Sequence, residues 1–319
     1  MGIDRSMDIR SDLTDSKPTS IRLEPEVRKF IKAQADALGT SEQSVIGMIL
    51  KGVVEMSMNQ TTGSLRTIRE RFLYLFQVHK IDLPSTAFLL REYGFTLSVL
   101  GDSDKLLDLI TPNVINYVAQ LFHVNPQWIS GGIDSPIALG VEVRWYKNVY
   151  RMASRLMEYV DKGLKPHVMF IQRHEAEFDK AFLDNDAGRV DEEPIGVIVR
   201  LTHEYPNEIY FKTYECWEFE RWNYEPCRQQ MKLLICFCDQ ASRKHLISYG
   251  GYSLSTNAIR ILTSQVGLPA NVSKEIHQVT WHPEDYASIR FKVEQEKSEW
   301  PSVEKAYKNS TLDSLIKDQ

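Results

Sequence analysis

The chain has little of what the commoner enzyme signatures require. Its 319 residues include only four cysteines, Cys216, Cys227, Cys236 and Cys238, and none stands in a C-x-x-C pair. A paired-thiol metal ribbon is thereby excluded, and a redox dithiol has no motif to rest on. Buried free thiols are expected, rather than a zinc site completed by His203 or His245. There is no glycine-rich phosphate loop, no G-x-S-x-G and no H-x-x-x-H spacing. No apolar run reaches the ~18–20 residues that a membrane helix needs, so no membrane partner is expected. Residues 1–16 lack the apolar core of a secretory signal and are expected to form a flexible tail on a cytoplasmic protein. Basic charge is short as well: 38 Lys and Arg against 43 Asp and Glu give a formal net charge of −5. That excludes a charge-driven coat on nucleic acid, whose affinity would come from an excess of cations. It leaves room for a small basic face, because net charge does not fix the local field.

What is present is an ordinary globular composition, 43% hydrophobic and 25% charged, at a length that supports two or three domains. The most informative stretch runs from Lys17 to Glu55. In KPTSIRLEPEV, Ile21 and Leu23 fall on one face of an extended segment and Ser20 and Arg22 on the other. Glu24-Pro25-Glu26 is a favourable helix start. Val27, Phe30, Ile31, Gln34, Ala35 and Leu38 then mark a 3.6-residue period that stops at Gly39. Ser41 has the position of an N-cap for a second helix with the stripe Val45, Ile46, Ile49, Leu50, Val53 and Val54. A lone strand leaves its backbone groups unpaired, and the simplest partner is the same strand of a second copy.

This order resembles the ribbon-helix-helix family, the Arc and MetJ type of DNA reader. The resemblance covers about an eighth of the chain. It implies a homodimer, or a higher oligomer, whose two-stranded ribbon enters the major groove of double-stranded DNA. Ser20 and Arg22 would contact bases. Thr40, Ser41 and Glu42 would hold a phosphate at the start of the second helix, where free N–H groups and the helix dipole favour an anion. Ile21, Leu23, Val27, Ile46 and Ile49 would form the dimer interface. Glu42 departs from the pattern, since a carboxylate there repels phosphate.

A second resemblance begins after the polar stretch Ser57–Ser64. Ile68, Phe72, Leu75, Phe76 and His79 share a helix face. Pro84–Tyr93 has the pattern of another helix, and NVINYVAQLFHVNPQWISGG resembles the end of a Cro/repressor-type helix-turn-helix domain. The matching residues are Val118, Ala119, Leu121, Phe122, Val124, Trp128, Ile129 and Gly131. They are mainly packing positions and imply a five-helix fold. The expected recognition helix, within Thr96–Ile110, carries Asp102, Asp104 and Asp108 against Lys105 alone, which suits a major groove poorly. The segment therefore stands equally as a second DNA contact and as a helical spacer or dimerisation module. Arg66, Arg69 and Arg71 could reach phosphate or simply form a solvated face.

The C-terminal half shows no recognisable chemistry. A helix is expected around Trp145, Val149, Met152, Leu156 and Tyr159. Strands are expected at His167–Gln172, Ile195–Thr202, Ile209–Phe219 and Met231–Cys238, forming an antiparallel sheet with helices on one side. Further helices are expected at Asn257–Val266 and Trp300–Ile316. The cluster His174, Glu175, Glu177 and Asp179 lacks metal-ligand spacing. The aromatic run Trp217, Phe219, Trp222 and Tyr224 is expected in the core.

The fold class expected is a multidomain α+β chain. A ribbon-helix-helix at 17–56 precedes a helix-turn-helix-like domain at 65–132 and a mixed domain with an antiparallel sheet at 140–319. The function this implies is a dimeric, sequence-specific transcriptional regulator, not an enzyme, with no cofactor, metal or catalytic set. Its C-terminal domain would serve a protein partner, sensing or assembly. Both module types are common in bacteria, plasmids and phages, which points to a mobile element, conjugative transfer included. The alternatives are a plasmid partition or relaxosome accessory protein, an antitoxin, and a DNA-targeted enzyme. Ile21→Asp would bury a charge in the strand pair and is expected to break the dimer, as read by light scattering. A well-folded dimer would remove this strand from the interface.

Overall fold

The computed structural model describes residues 22–58, 60–137, 143–174, 176, 178, 193–276, 279–287 and 296–317. Ser20 and Ile21, the paired strand around them, and Glu175, Glu177 and Asp179 lie outside the described residues. The chain divides into two compact units, Met1–Gly63 and Ser64–Gln319, and is of mixed α+β class.

The first unit is a helical hairpin of α1 (Pro25–Leu38) and α2 (Glu42–Met58). The second begins essentially with α3 (Gln60–Val78). The polar stretch Ser57–Ser64, expected to separate helices, is therefore covered by the end of α2 and the start of α3. Next come α4 (Leu83–Leu89), a 3-10 turn at Arg91–Tyr93, α5 (Leu97–Leu100), α6 (Ser103–Leu109), α7 (Pro112–Phe122) and α8 (Pro126–Ile129). Their starts are written in the sequence. Asp82, Thr96, Asp102, Thr111 and Asn125 each accept a backbone N–H of the helix that follows, satisfying donors that a helix start leaves open. Phe72, Leu75, Phe76, Leu106, Val118, Phe122 and Ile129 form the core of this segment. The helix-turn-helix-like packing positions Val118, Ala119, Phe122, Val124, Trp128 and Ile129 are all buried. Leu121 is half-buried and packs against the same core, and Gly131 takes a positive φ of 80°.

After α9 (Val149–Asp161) the chain forms β1 (His167–Arg173), β2 (Pro194–Tyr205), β3 (Ile209–Cys216) and the short β4 (Glu220–Arg221). Then follow α10 (Glu225–Arg243), β5 (Ser248–Leu254), α11 (Thr256–Thr263), α12 (Pro269–Val272), α13 (Pro283–Tyr286), α14 (Glu296–Asn309) and α15 (Leu312–Lys317). The sheet order is β3-β2-β1-β5, with β4 paired to β2.

Three expectations are corrected here. Met231–Cys238 is not a strand but the middle of α10. The run Leu233–Cys238 is buried throughout, and a short continuous apolar run fits a core strand as well as a buried helix. The sheet is mixed rather than antiparallel: β1 pairs antiparallel with β2 but parallel with β5. A 19-residue helix returns the chain so that β5 starts beside the start of β1, the usual consequence of a helical crossover. Helices also cover both faces. Val168, Phe170, Val197 and Val199 face α9 and α10 in one core. Met169, Ile171, Ile198 and Leu254 face α11 in the other. β5 itself escapes a hydrophobic search because its centre is Gly250-Gly251. A Cβ on Gly251 would sit 2.5 Å from the Trp281 carbonyl oxygen.

The helical segment and the sheet share a core, since Phe211 of β3 and Leu268 join the Phe72 and Phe122 cluster. Histidines line this junction. His79 packs on Phe122 with 4.5 Å between ring centroids, and His203 stacks on Phe211 at 4.7 Å with Nε2 2.8 Å from Thr213 Oγ1. Burial pushes both imidazoles down to about 4. An unfolded histidine accepts a proton near pH 6.5, whereas these stay neutral when folded. Acidification between about pH 6.5 and 4 therefore favours the unfolded chain. The thermal midpoint is expected to be lower at pH 5 than at pH 7.5, with a smaller gap in His79→Phe. An unchanged gap would mean that the junction histidine does not carry the effect.

Candidate nucleic-acid interface

The hairpin forms because its local signals agree. Pro25 occupies the first turn of α1, where its missing N–H costs nothing. Gly39 ends the helix with φ 63°, and the next N–H, that of Thr40, donates to Ala35 O at 3.0 Å. Ser41 then caps α2, its Oγ accepting the Ser44 N–H at 3.1 Å. The cap consumes some of the candidate phosphate donors. The Thr40 N–H is held by α1, so the first turn of α2, at Glu42 and Gln43, is where backbone donors have no carbonyl within the helix. Glu42 stands half-buried at the same place, its carboxylate at the positive end of the dipole.

Arg22 is exposed and Leu23 half-buried at the point where the described chain begins. Inside the hairpin, Ile31, Ala35 and Val45 are the buried cluster, with Leu23 and Ile46 against it. Much of the remaining apolar surface is open: Val27 is 46%, Phe30 57%, Met48 54%, Ile49 44% and Leu50 48% exposed. Of the interface residues expected from the sequence, the structure thus leaves Val27 and Ile49 uncovered in one copy and tucks Leu23 and Ile46 partly into the hairpin.

The helix-turn-helix-like segment offers DNA much less. Its expected recognition region is broken into α5, four residues long, and α6, seven. Asp102 caps α6 and pairs with Lys105 at 3.1 Å, while Asp104 and Asp108 remain exposed. The three candidate arginines are engaged locally. Arg66 pairs with Glu70 at 2.7 Å, and Arg69 donates to the Ser103 hydroxyl. Arg71 donates to the carbonyls of Trp128 and Ile133, each at 2.7 Å, and lies over the Trp128 ring. It ties the end of the segment to its first helix.

A cleft of about 840 Å³ lies where this segment meets the sheet, lined among others by His123, Arg155, Tyr159 and Glu215. Arg155 pairs with Glu215 at 2.6 Å, and the Tyr159 hydroxyl donates to the same carboxylate at 2.8 Å. Burial alone would raise the Glu215 carboxyl, but His123 and Arg155 outweigh it and hold the group below its ordinary value. Burial pushes the neighbouring Cys216 thiol up to about 12. The arrangement is a satisfied internal ion pair beside an inert thiol, not an activated nucleophile with its base. All four cysteines are buried and free. The aromatic run divides: Trp217 and Trp222 are in the core, whereas Phe219 is half-buried and Tyr224 exposed. Among the described residues no helix is long and apolar enough to cross a membrane, and no cluster of three His, Cys, Asp or Glu has metal-holding geometry.

Sequence reasoning missed the Arg155, Tyr159 and Glu215 set, whose members are up to 60 residues apart and meet only through the packing of α9 on β3. No spacing in the sequence signals it. Set against known protein families, curated proteins and solved structures, the chain matches none.

Proposed function

We propose that this chain is a dimeric, sequence-specific DNA-binding regulator that reads DNA through its N-terminal segment. The observation that carries the reading is the exposure of Val27, Phe30, Met48, Ile49 and Leu50 on a hairpin whose buried apolar cluster, among the described side chains, is Ile31, Ala35 and Val45. So small a unit does not hold together by its own burial. Several large apolar side chains left exposed on so small a unit point to an interaction surface. The occupant is a second copy, because the segment leading into α1 alternates Ser20 and Arg22 with Ile21 and Leu23. Pairing of two such strands would place both Arg22 side chains on one ribbon and leave the two hairpins to cover each other.

On this reading Ser20 and Arg22 contact bases, and the first turn of α2 at Ser41 and Glu42 takes a phosphate. The aspartate-bearing helices α5 and α6 serve as spacer rather than reader. The C-terminal domain then presents the assembly to a protein partner. Regulation of transcription and service as a partition or relaxosome accessory protein share this DNA-reading geometry. The acidic surface of α6 and the engaged Arg66, Arg69 and Arg71 favour a single reader at the N-terminus in either case.

Selection from a random duplex library is expected to return a short two-fold or repeated motif. Arg22→Ala is expected to lose roughly 1–3 kcal/mol of affinity for it, the usual worth of a good base contact. Equal affinity of the two proteins for the selected site would refute the ribbon assignment.

A further inference from the structure

One end of the sheet carries a second feature that the ribbon does not use. Register places His167 opposite Arg200 and opposite Ser248, and Arg200 opposite Tyr214. Thr202 faces Lys212 and Glu204 faces Tyr210 in the next pairs along β2 and β3. Side chains two apart on a strand share a face, so Arg200, Lys212, His167, Ser248 and Tyr210 stand on one face at one end of the sheet. The apolar residues of that face, Met169, Ile171 and Ile198, lie toward the other end under α11.

The end is built rather than incidental. His167 Nδ1 lies 2.7 Å from Ser248 Oγ and its Nε2 2.6 Å from the Tyr252 hydroxyl, which fixes the ring. Burial, with Arg200 and Lys212 adding to it, pushes the imidazole down to about 4, so at neutral pH it is a fixed dipole and not a third cation. Among the described residues neither Arg200 nor Lys212 has a carboxylate within ion-pair distance. The nearest acid on this face, Glu204, is taken by Lys165 at 2.7 Å. In a chain with a net charge of −5, two neighbouring uncompensated cations are an attraction for an external anion. Tyr210, 56% exposed, lies beside them with the Lys212 ammonium 5.9 Å from its ring centroid. A cation pair flanked by an open aromatic ring matches a phosphate ester with its base stacked alongside.

We infer that this end of the sheet binds nucleotide phosphate, with Arg200 and Lys212 on the phosphate and Tyr210 under the base. The site is separate from the ribbon and does not depend on it. The ligand is either a free nucleotide or single-stranded nucleic acid, whose phosphate and base are the same chemistry.

The test is titration of the full-length chain carrying Arg22→Ala, which removes the ribbon arginine, with two labelled probes: an oligodeoxythymidylate and ADP. Binding of the oligonucleotide, weakened at least tenfold by Arg200→Gln with Lys212→Gln and severalfold by Tyr210→Ala, would establish the site with nucleic acid as its ligand. The same losses with ADP alone would establish it for a free nucleotide. The salt dependence of oligonucleotide binding should also flatten in the double variant, as expected when phosphate contacts are removed. The inference is overturned if neither probe binds at millimolar concentration, if the double variant binds as tightly, or if inorganic phosphate displaces the probe while Tyr210→Ala changes nothing. A thermal melt of each variant at the wild-type temperature keeps loss of folding from being read as loss of binding.

Discussion

Among the described side chains, Ile31, Ala35 and Val45 form the buried apolar cluster of the N-terminal hairpin, and the proposed dimer depends on the apolar surface left outside it. Ordering the backbone of two helices joined by a tight glycine turn opposes folding at every residue, and burial of apolar surface must offset it. The missing surface is present in the sequence but faces outward, as Val27, Phe30, Met48, Ile49 and Leu50. A second copy offers the same residues in return. In the proposed dimer the residues before α1 would gain a self-complementary strand partner, and that pairing would present two copies of Arg22 side by side.

The second unit meets the opposite situation. Its helical segment has a core of its own that continues onto the sheet, with Phe211 and Leu268 joining it. Arg71, which sequence alone leaves open to phosphate, holds the Trp128 and Ile133 carbonyls instead. The packing residues of this segment are thus buried while Asp104 and Asp108 of α6 face outward. On the sheet, the same separation of roles appears between the two ends of one face. Apolar residues under α11 hold the structure, and the cations at the far end have, among the described residues, no carboxylate within ion-pair distance.

The legibility of the sequence followed the locality of the signal. The cap at Ser41, the glycine stop at 39, and strands β1 to β3 were readable, because each depends on a few neighbouring residues. Helix α10 was not, since its central run Leu233–Cys238 is continuously apolar and fits a core strand as well as a buried helix. Strand β5 was not, since Gly250 and Gly251 are there to let Val279 and Trp281 approach and contribute no hydrophobic pattern of their own. The parallel pairing of β5 followed from the identity of α10 and failed with it. For the site, Arg22 and Ser41 belong to a contiguous pattern and stand out. Arg200, Lys212, His167 and Ser248 become neighbours only once strand order and register are known, so no reading of spacing could join them.

The most direct test of the central claim is amide hydrogen exchange of the full-length chain across residues 22–58, followed against protein concentration alongside sedimentation equilibrium. If a second copy covers the hairpin, the mass approaches twice the 36.9 kDa of the chain, and α1 and α2 become protected over the same concentration range. A chain that stays at its monomer mass, or a hairpin equally protected at every concentration, would contradict the account and show that the exposed apolar face is not where two copies meet.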